Sequence, residues 1–156
     1  MKLAEPYKKI PKTVETSLEW NGQMGFVCKS GSGHEIKIDA SLQHGGQNLG
    51  PRPMELILFS LGSCTGMDMV TILRKKRRDI QDIKMNLHGQ RATTHPHIFE
   101  NISIEYIVTG SDLTDEDIRW AIDLSLNKYC SVAGMLKKVC KISFKWKIIK
   151  ATDKAN

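Results

Sequence analysis

The segment from Leu56 to Leu73 is the strongest constraint on what this chain can fold into. Its apolar residues fall on nearly every face of a helix, and Gly62, Ser63, Thr65 and Gly66 leave only small groups around Cys64. Pro53 suits a first helical position, Glu55 the positive first turn, and the run Arg74 to Arg78 the negative end, so a helix is expected from about Pro53 to Arg77. So apolar a helix is more than a chain of 156 residues can bury alone, and a second subunit is expected to cover part of it. Length, basic flank and the Gly62-x-x-x-Gly66 spacing also fit a membrane span. Asp68 inside such a span would cost about 3 kcal/mol, which favours a core helix whose glycines mark close backbone approach.

Before this segment, Val14 to Trp20, Gly25 to Lys29 and His34 to Asp39 alternate as short strands, with hairpin-turn chemistry at Asn21-Gly22. After it, Ile83 to Gly89 and Ile102 to Val108 alternate as an antiparallel pair, joined by a link long enough to extend either strand. Thr114-Asp-Glu-Asp117 has the form of a capping box with Asp at the usual Glu position. It opens a helix ending near Tyr129 whose Ile118, Ala121 and Ile122 share a face. Ser131 is expected to cap a short helix through Lys137, and Val139 to Ile149 to form a last strand. This order predicts an α+β domain and not a doubly wound parallel sheet. One domain over 1–156 is expected, with residues 1–13 a loosely held N-terminal segment.

The opening Met1 to Lys9 contains no apolar run, so no secretory signal is read there and a cytoplasmic protein is expected. The net charge of +6 permits acidic contacts, but the lysines are dispersed and the few aromatics do not interleave with them; no specific nucleic-acid partner is expected. Cysteines 28, 64, 130 and 140 form no CxxC pair, which gives little support to a zinc site or a disulfide framework. Cys28 and Cys140 lie in strand-like runs and read as packing residues. His95-Pro-His97 reads as an exposed loop in which the proline keeps the link extended, and no metal or cofactor is expected. Cys64 and Cys130, each at a crowded helical position, invite a redox reading.

Four motifs together carry a resemblance: Gly50-Pro-Arg-Pro-Met-Glu-Leu-Ile-Leu, Gly62-Ser-Cys-Thr-Gly-Met-Asp-Met-Val, His95-Pro-His-Ile-Phe and Lys128-Tyr-Cys-Ser-Val. In this order they resemble the OsmC/Ohr family of osmotically induced and organic-hydroperoxide-resistance proteins, from about Trp20 to Trp146. The resemblance implies an intertwined α+β homodimer, with antiparallel sheets wrapped around two long central helices. It also implies a thiol peroxidase for organic hydroperoxides, with Cys64 peroxidatic and Cys130 resolving, no bound cofactor, and an external dithiol or lipoyl-type reductant. Met54, Leu61, Met67 and Met135 are candidates to line an apolar pocket, against the plainer reading that they are core.

The chain departs from the family pattern at two positions. Gln23 stands where family peroxidases place an arginine, and Met54 where they place a glutamate ten positions before the first cysteine. Arg52 is the candidate replacement for the guanidinium, with Glu55 holding it. Glu55 precedes Cys64 by nine residues, about 900° of helix and roughly 13 Å, and so faces away from its own Cys64. Asp68, four residues after Cys64, shares its helix face and would oppose thiolate formation unless paired. A noncatalytic relative that holds an apolar small molecule at the dimer interface is the competing reading.

Overall fold

The computed structural model describes residues 12–151, so the segment expected to be loosely held lies almost wholly outside the described residues. The chain divides between Leu56 and Ile57 into two compact units.

The first unit is an antiparallel meander of β1 (Thr16–Trp20), β2 (Gly25–Ser30) and β3 (Glu35–Asp39). Leu18 pairs with Cys28 and Cys28 with Ile36; Trp20 pairs with Phe26 and Phe26 with Ile38. Because paired residues share a face, these six form one apolar surface, and most of it is open: Trp20 is 67% exposed and Leu18 57%. Asn21 makes the first turn by accepting from Gln23 N at 2.9 Å and Gly25 N at 3.2 Å, while Gly22 takes the positive φ that such a turn needs. Buried Asp39 organises the loop after β3. Its carboxylate accepts from Ala40 N at 2.8 Å, Gln47 N at 2.9 Å and Leu49 N at 3.1 Å.

The second unit is built on a sheet in which β5 (Phe99–Gly110) is central, with β4 (Asp82–Arg91) antiparallel on one side and β6 (Lys141–Lys150) parallel on the other. The parallel pairing corrects the expectation of wholly antiparallel sheets; alternation fixes which face a strand buries, not its direction. Ile102, Ile104, Tyr106 and Val108 of β5 are fully buried, and their partners Leu87 and Met85 on β4 and Phe144 and Trp146 on β6 continue the same face. The opposite face is polar, with Asn86, Glu105 and Lys145 joined across the three strands.

Helix α1 (Pro53–Lys75) sets its glycine stripe on β4. A Cβ on Gly62 would stand 2.9 Å from Leu87 Cδ1, and one on Gly66 2.7 Å from Met85 Cε. The glycine spacing that mimics a membrane dimer motif therefore packs helix on sheet, while Phe59 (60%) and Met67 (62%) remain exposed. The helix stops two residues earlier than expected, in a Schellman turn: Arg77 has φ 59° and Arg78 N donates to Leu73 O at 3.0 Å. The basic run is not simply a solvated helix end. Lys76 Nζ reaches Asp117 Oδ1 at 2.7 Å and packs over Trp120, and Arg78 Nε makes an ionic contact with Asp117 Oδ2 at 2.8 Å.

Helix α2 (Asp115–Leu124) opens with the expected capping box. Asp117 N donates to Thr114 Oγ1 at 3.2 Å and Thr114 N to Asp117 Oδ2 at 3.3 Å. It continues as a π-helical turn, Ser125–Tyr129, closed by Cys130 N donating to Ser125 O at 2.9 Å. Helix α3 (Ser131–Leu136) then begins, capped by Cys130 and not by Ser131: the Cys130 sulfur accepts from Ala133 N at 3.3 Å. Cys140 is buried just ahead of β6, while Cys28 is half-buried in β2.

Candidate active site

The centre of the site is assembled from one face of α1 and the π-turn. The sulfurs of Cys64 and Cys130, 66 positions apart in sequence, and a carboxylate oxygen of Asp68 all lie within 4.8 Å of one another. Cys64 and Asp68 meet because residues four apart stack on a helix. Cys130 joins them because the π-turn inserts a residue and turns the chain at that point; such turns often occur at functional positions. Cys64 is half-buried, whereas Cys130 and Asp68 are buried.

Burial pushes the Cys130 thiol up to about 12, the neighbouring Cys64 adds to this, and the Ala133 and Val132 N–H groups work against it. Burial therefore keeps Cys130 a thiol. Burial also raises the Asp68 carboxyl, opposed by the Ser125 hydroxyl, which donates to Asp68 Oδ2 at 2.8 Å. Desolvation thus softens the like-charge repulsion expected of Asp68, and the Ser125 hydroxyl partly restores the charge.

Tyr106 extends the polar cluster from β5. Its side chain is fully buried and, among the described residues, its hydroxyl has no hydrogen-bond partner. Burial lifts the phenol to about 12; Thr65 lies close enough to oppose the rise, and Cys130 and Asp68 add to it. The Thr65 hydroxyl spends its own proton on Gly62 O at 3.1 Å. An unpaired buried hydroxyl costs about 1–3 kcal/mol. The sequence places Ser125 on the buried face of its helix and Tyr106 in an alternating strand, but gives neither a role in the site.

Arg52 and Glu55, in the first unit, are engaged differently from expectation. Glu55 accepts from the backbone N of Arg52 at 2.7 Å and so closes the helix start; it does not hold the guanidinium. That group donates to Gly50 O at 2.6 Å and Asp39 O at 3.3 Å, and also to Asn48. Of the apolar pocket candidates, Leu61 is core, Met54 half-buried, and Met67 and Met135 exposed. His95 is exposed and His97 half-buried, with Nδ1 2.8 Å from Ala92 O. Ile98 N donates to Pro96 O at 2.7 Å and Ala92 N to Ile98 O at 2.8 Å, so the link turns where an extended course was expected.

Compared with known proteins, residues 45–145 match the profile of the OsmC-like protein family. Protein YhfA of Escherichia coli K12 is 36% identical over 138 residues, which is 88% of this chain and 100% of YhfA. A crystal structure of a hypothetical protein from Aquifex aeolicus is 35% identical, with a TM-score of 0.80 over 91% of this chain and 100% of its own. An OsmC-like protein from Mycoplasma pneumoniae shares the fold at 19% identity, with a TM-score of 0.77 over 90% and 99%.

Proposed function

This chain belongs to the OsmC-like protein family, and from that premise we propose that it is a thiol-dependent peroxidase that reduces organic hydroperoxides through Cys64 and Cys130. One observation carries the reading: two sulfurs far apart in sequence lie within 4.8 Å of one another.

The half-exposed Cys64 is the sulfur a substrate can reach. Its thiolate attacks the distal peroxide oxygen, the O–O bond breaks, and the alkoxide leaves and takes a proton from water. Cys64 becomes a sulfenic acid. Cys130 gives up its proton and attacks that sulfur, an S–S bond forms, and hydroxide departs as water. An external dithiol reopens the disulfide by exchange. Over the cycle one hydroperoxide becomes one alcohol and one water, and the dithiol is oxidised. A homodimer belongs to the same proposal, supported by the open apolar face of β1–β3 and by exposed Phe59 and Met67 on α1.

A second reading, a noncatalytic binder of an apolar small molecule at the dimer interface, draws support from Arg52, whose guanidinium is already committed to Gly50 O and Asp39 O. Consumption of cumene hydroperoxide with excess dithiothreitol separates the two. The peroxidase predicts turnover that is faster than with hydrogen peroxide, abolished by Cys64→Ser and slowed by Cys130→Ser. Equal, slow rates in all three proteins would leave only the binding protein.

A further inference from the structure

We propose that the reduced protein binds one Zn2+ per chain through Cys64 Sγ, Cys130 Sγ and a carboxylate oxygen of Asp68. The three atoms lie within 4.8 Å of one another. Tetrahedral zinc, with Zn–S of about 2.3 Å and Zn–O of about 2.1 Å, needs sulfurs about 3.8 Å apart and sulfur to oxygen about 3.6 Å. Side-chain movements of about an ångström or less close that gap, and Cys64 and Asp68 are already stacked one turn apart on a rigid helix.

The donor set selects the ion. Thiolates reject Mg2+ and Ca2+, which want oxygen alone, and a carboxylate in place of a third thiolate disfavours Cu(I). Borderline Zn2+ accepts both kinds of donor. The surroundings supply what a zinc site requires beyond its ligands: Ser125 Oγ orients Asp68 from 2.8 Å. The hydroxyl of Tyr106, fully buried and without a hydrogen-bond partner among the described residues, has Cys130 and Asp68 as its electrostatic neighbours. It is the polar group that a water in the fourth coordination position would need. With three protein ligands the site is open, not structural.

The inference does not rest on the peroxidase reading, since it requires only reduced sulfurs. It does set the two functions in competition: zinc engages the sulfur pair that peroxide attacks, and oxidation of that pair to a disulfide by hydroperoxide removes two ligands and releases the metal.

The test is made on the reduced full-length protein without peroxide. Zinc is supplied as ZnCl2 against a chromogenic chelator, metal is counted by mass spectrometry after gel filtration, and far-UV circular dichroism checks each variant. The expected result is about one zinc per chain, with affinity weakened about tenfold or more in Cys64→Ser, Cys130→Ser and Asp68→Asn, and no binding of Mg2+. Tyr106→Phe weakens binding less. Of the four thiols, the Cys64 and Cys130 pair becomes slow toward Ellman's reagent when zinc is present, as peptide mapping reads directly. Substoichiometric zinc, affinity unchanged by all three ligand substitutions, or protection of Cys28 and Cys140 instead would overturn the site. Zinc binding without peroxide turnover would remove the peroxidase reading alone; turnover without zinc binding would remove this one alone.

Discussion

Asp117→Asn tests how the second unit is held together. Asp117 is 2% exposed and accepts from Lys76 at 2.7 Å and Thr114 Oγ1 at 2.7 Å, with Arg78 at 2.8 Å on the same carboxylate. Burial alone would raise its pKa, but Lys76, Thr114 and Arg78 together outweigh burial and hold it at about 2, against an ordinary value of 3.8. A depression of that size corresponds to about 2 kcal/mol of folding free energy. The folded-state value lies below the unfolded one, so the contribution is fully present above about pH 4 and is lost as pH falls through about 2. Asparagine keeps an acceptor for the capping box, removes the charge and turns an NH2 in place of an oxygen toward Lys76. Urea unfolding followed by circular dichroism should place Asp117→Asn about 2 kcal/mol below wild type at pH 7. The gap should be unchanged at pH 5 and narrow between pH 4 and 2.5. A loss under about 0.5 kcal/mol at pH 7, or a gap that persists on acidification, would refute the clamp.

Three further outcomes follow from the same geometry. Arg77 occupies a left-handed position at exposed helix end, so Arg77→Gly should raise stability by about 1 kcal/mol or less in urea titrations, and a loss would contradict the Schellman turn. Gly66→Ala should stay within about 1 kcal/mol of wild type, because Met85 can swing away and helix propensity improves, whereas Gly66→Val should cost about 2 kcal/mol; equal effects would argue against the close α1–β4 contact. Sedimentation should find wild type dimeric and the Phe59→Glu, Met67→Glu double variant monomeric, and an unchanged dimer would take these residues out of the interface.

Much of this fold was legible because local signals are strong. The apolar run after Pro53 gave α1, alternation gave the strands, and Thr114 with Asp117 gave the start of α2. The long link between the fourth and fifth strands does lengthen both, as β4 reaches Arg91 and β5 begins at Phe99. What escaped depends on contacts distant in sequence. Nothing in the basic run announces that Lys76 meets Asp117 forty-one residues later. The pattern of β6 is the same whether it pairs parallel or antiparallel. The π-turn at Ser125–Tyr129 differs from a helix by one residue per turn, too little for periodicity to register, yet it brings Cys130 to Cys64 and makes Cys130 the cap that Ser131 was expected to be. Within the site, Asp68 could be placed on the Cys64 face from spacing alone. The proximity of the two cysteines was implied by family resemblance and by no local signal, and Tyr106 was hidden as one more inward residue of an alternating strand.

The central claim is tested most directly by a single turnover. One equivalent of cumene hydroperoxide is added to the reduced protein, remaining thiols are counted within seconds, and disulfides are mapped by peptide mass spectrometry. The account predicts loss of two thiols per chain, a Cys64–Cys130 peptide, and neither in Cys64→Ser. Slow oxidation spread over all four cysteines, or a disulfide joining any other pair, would contradict it.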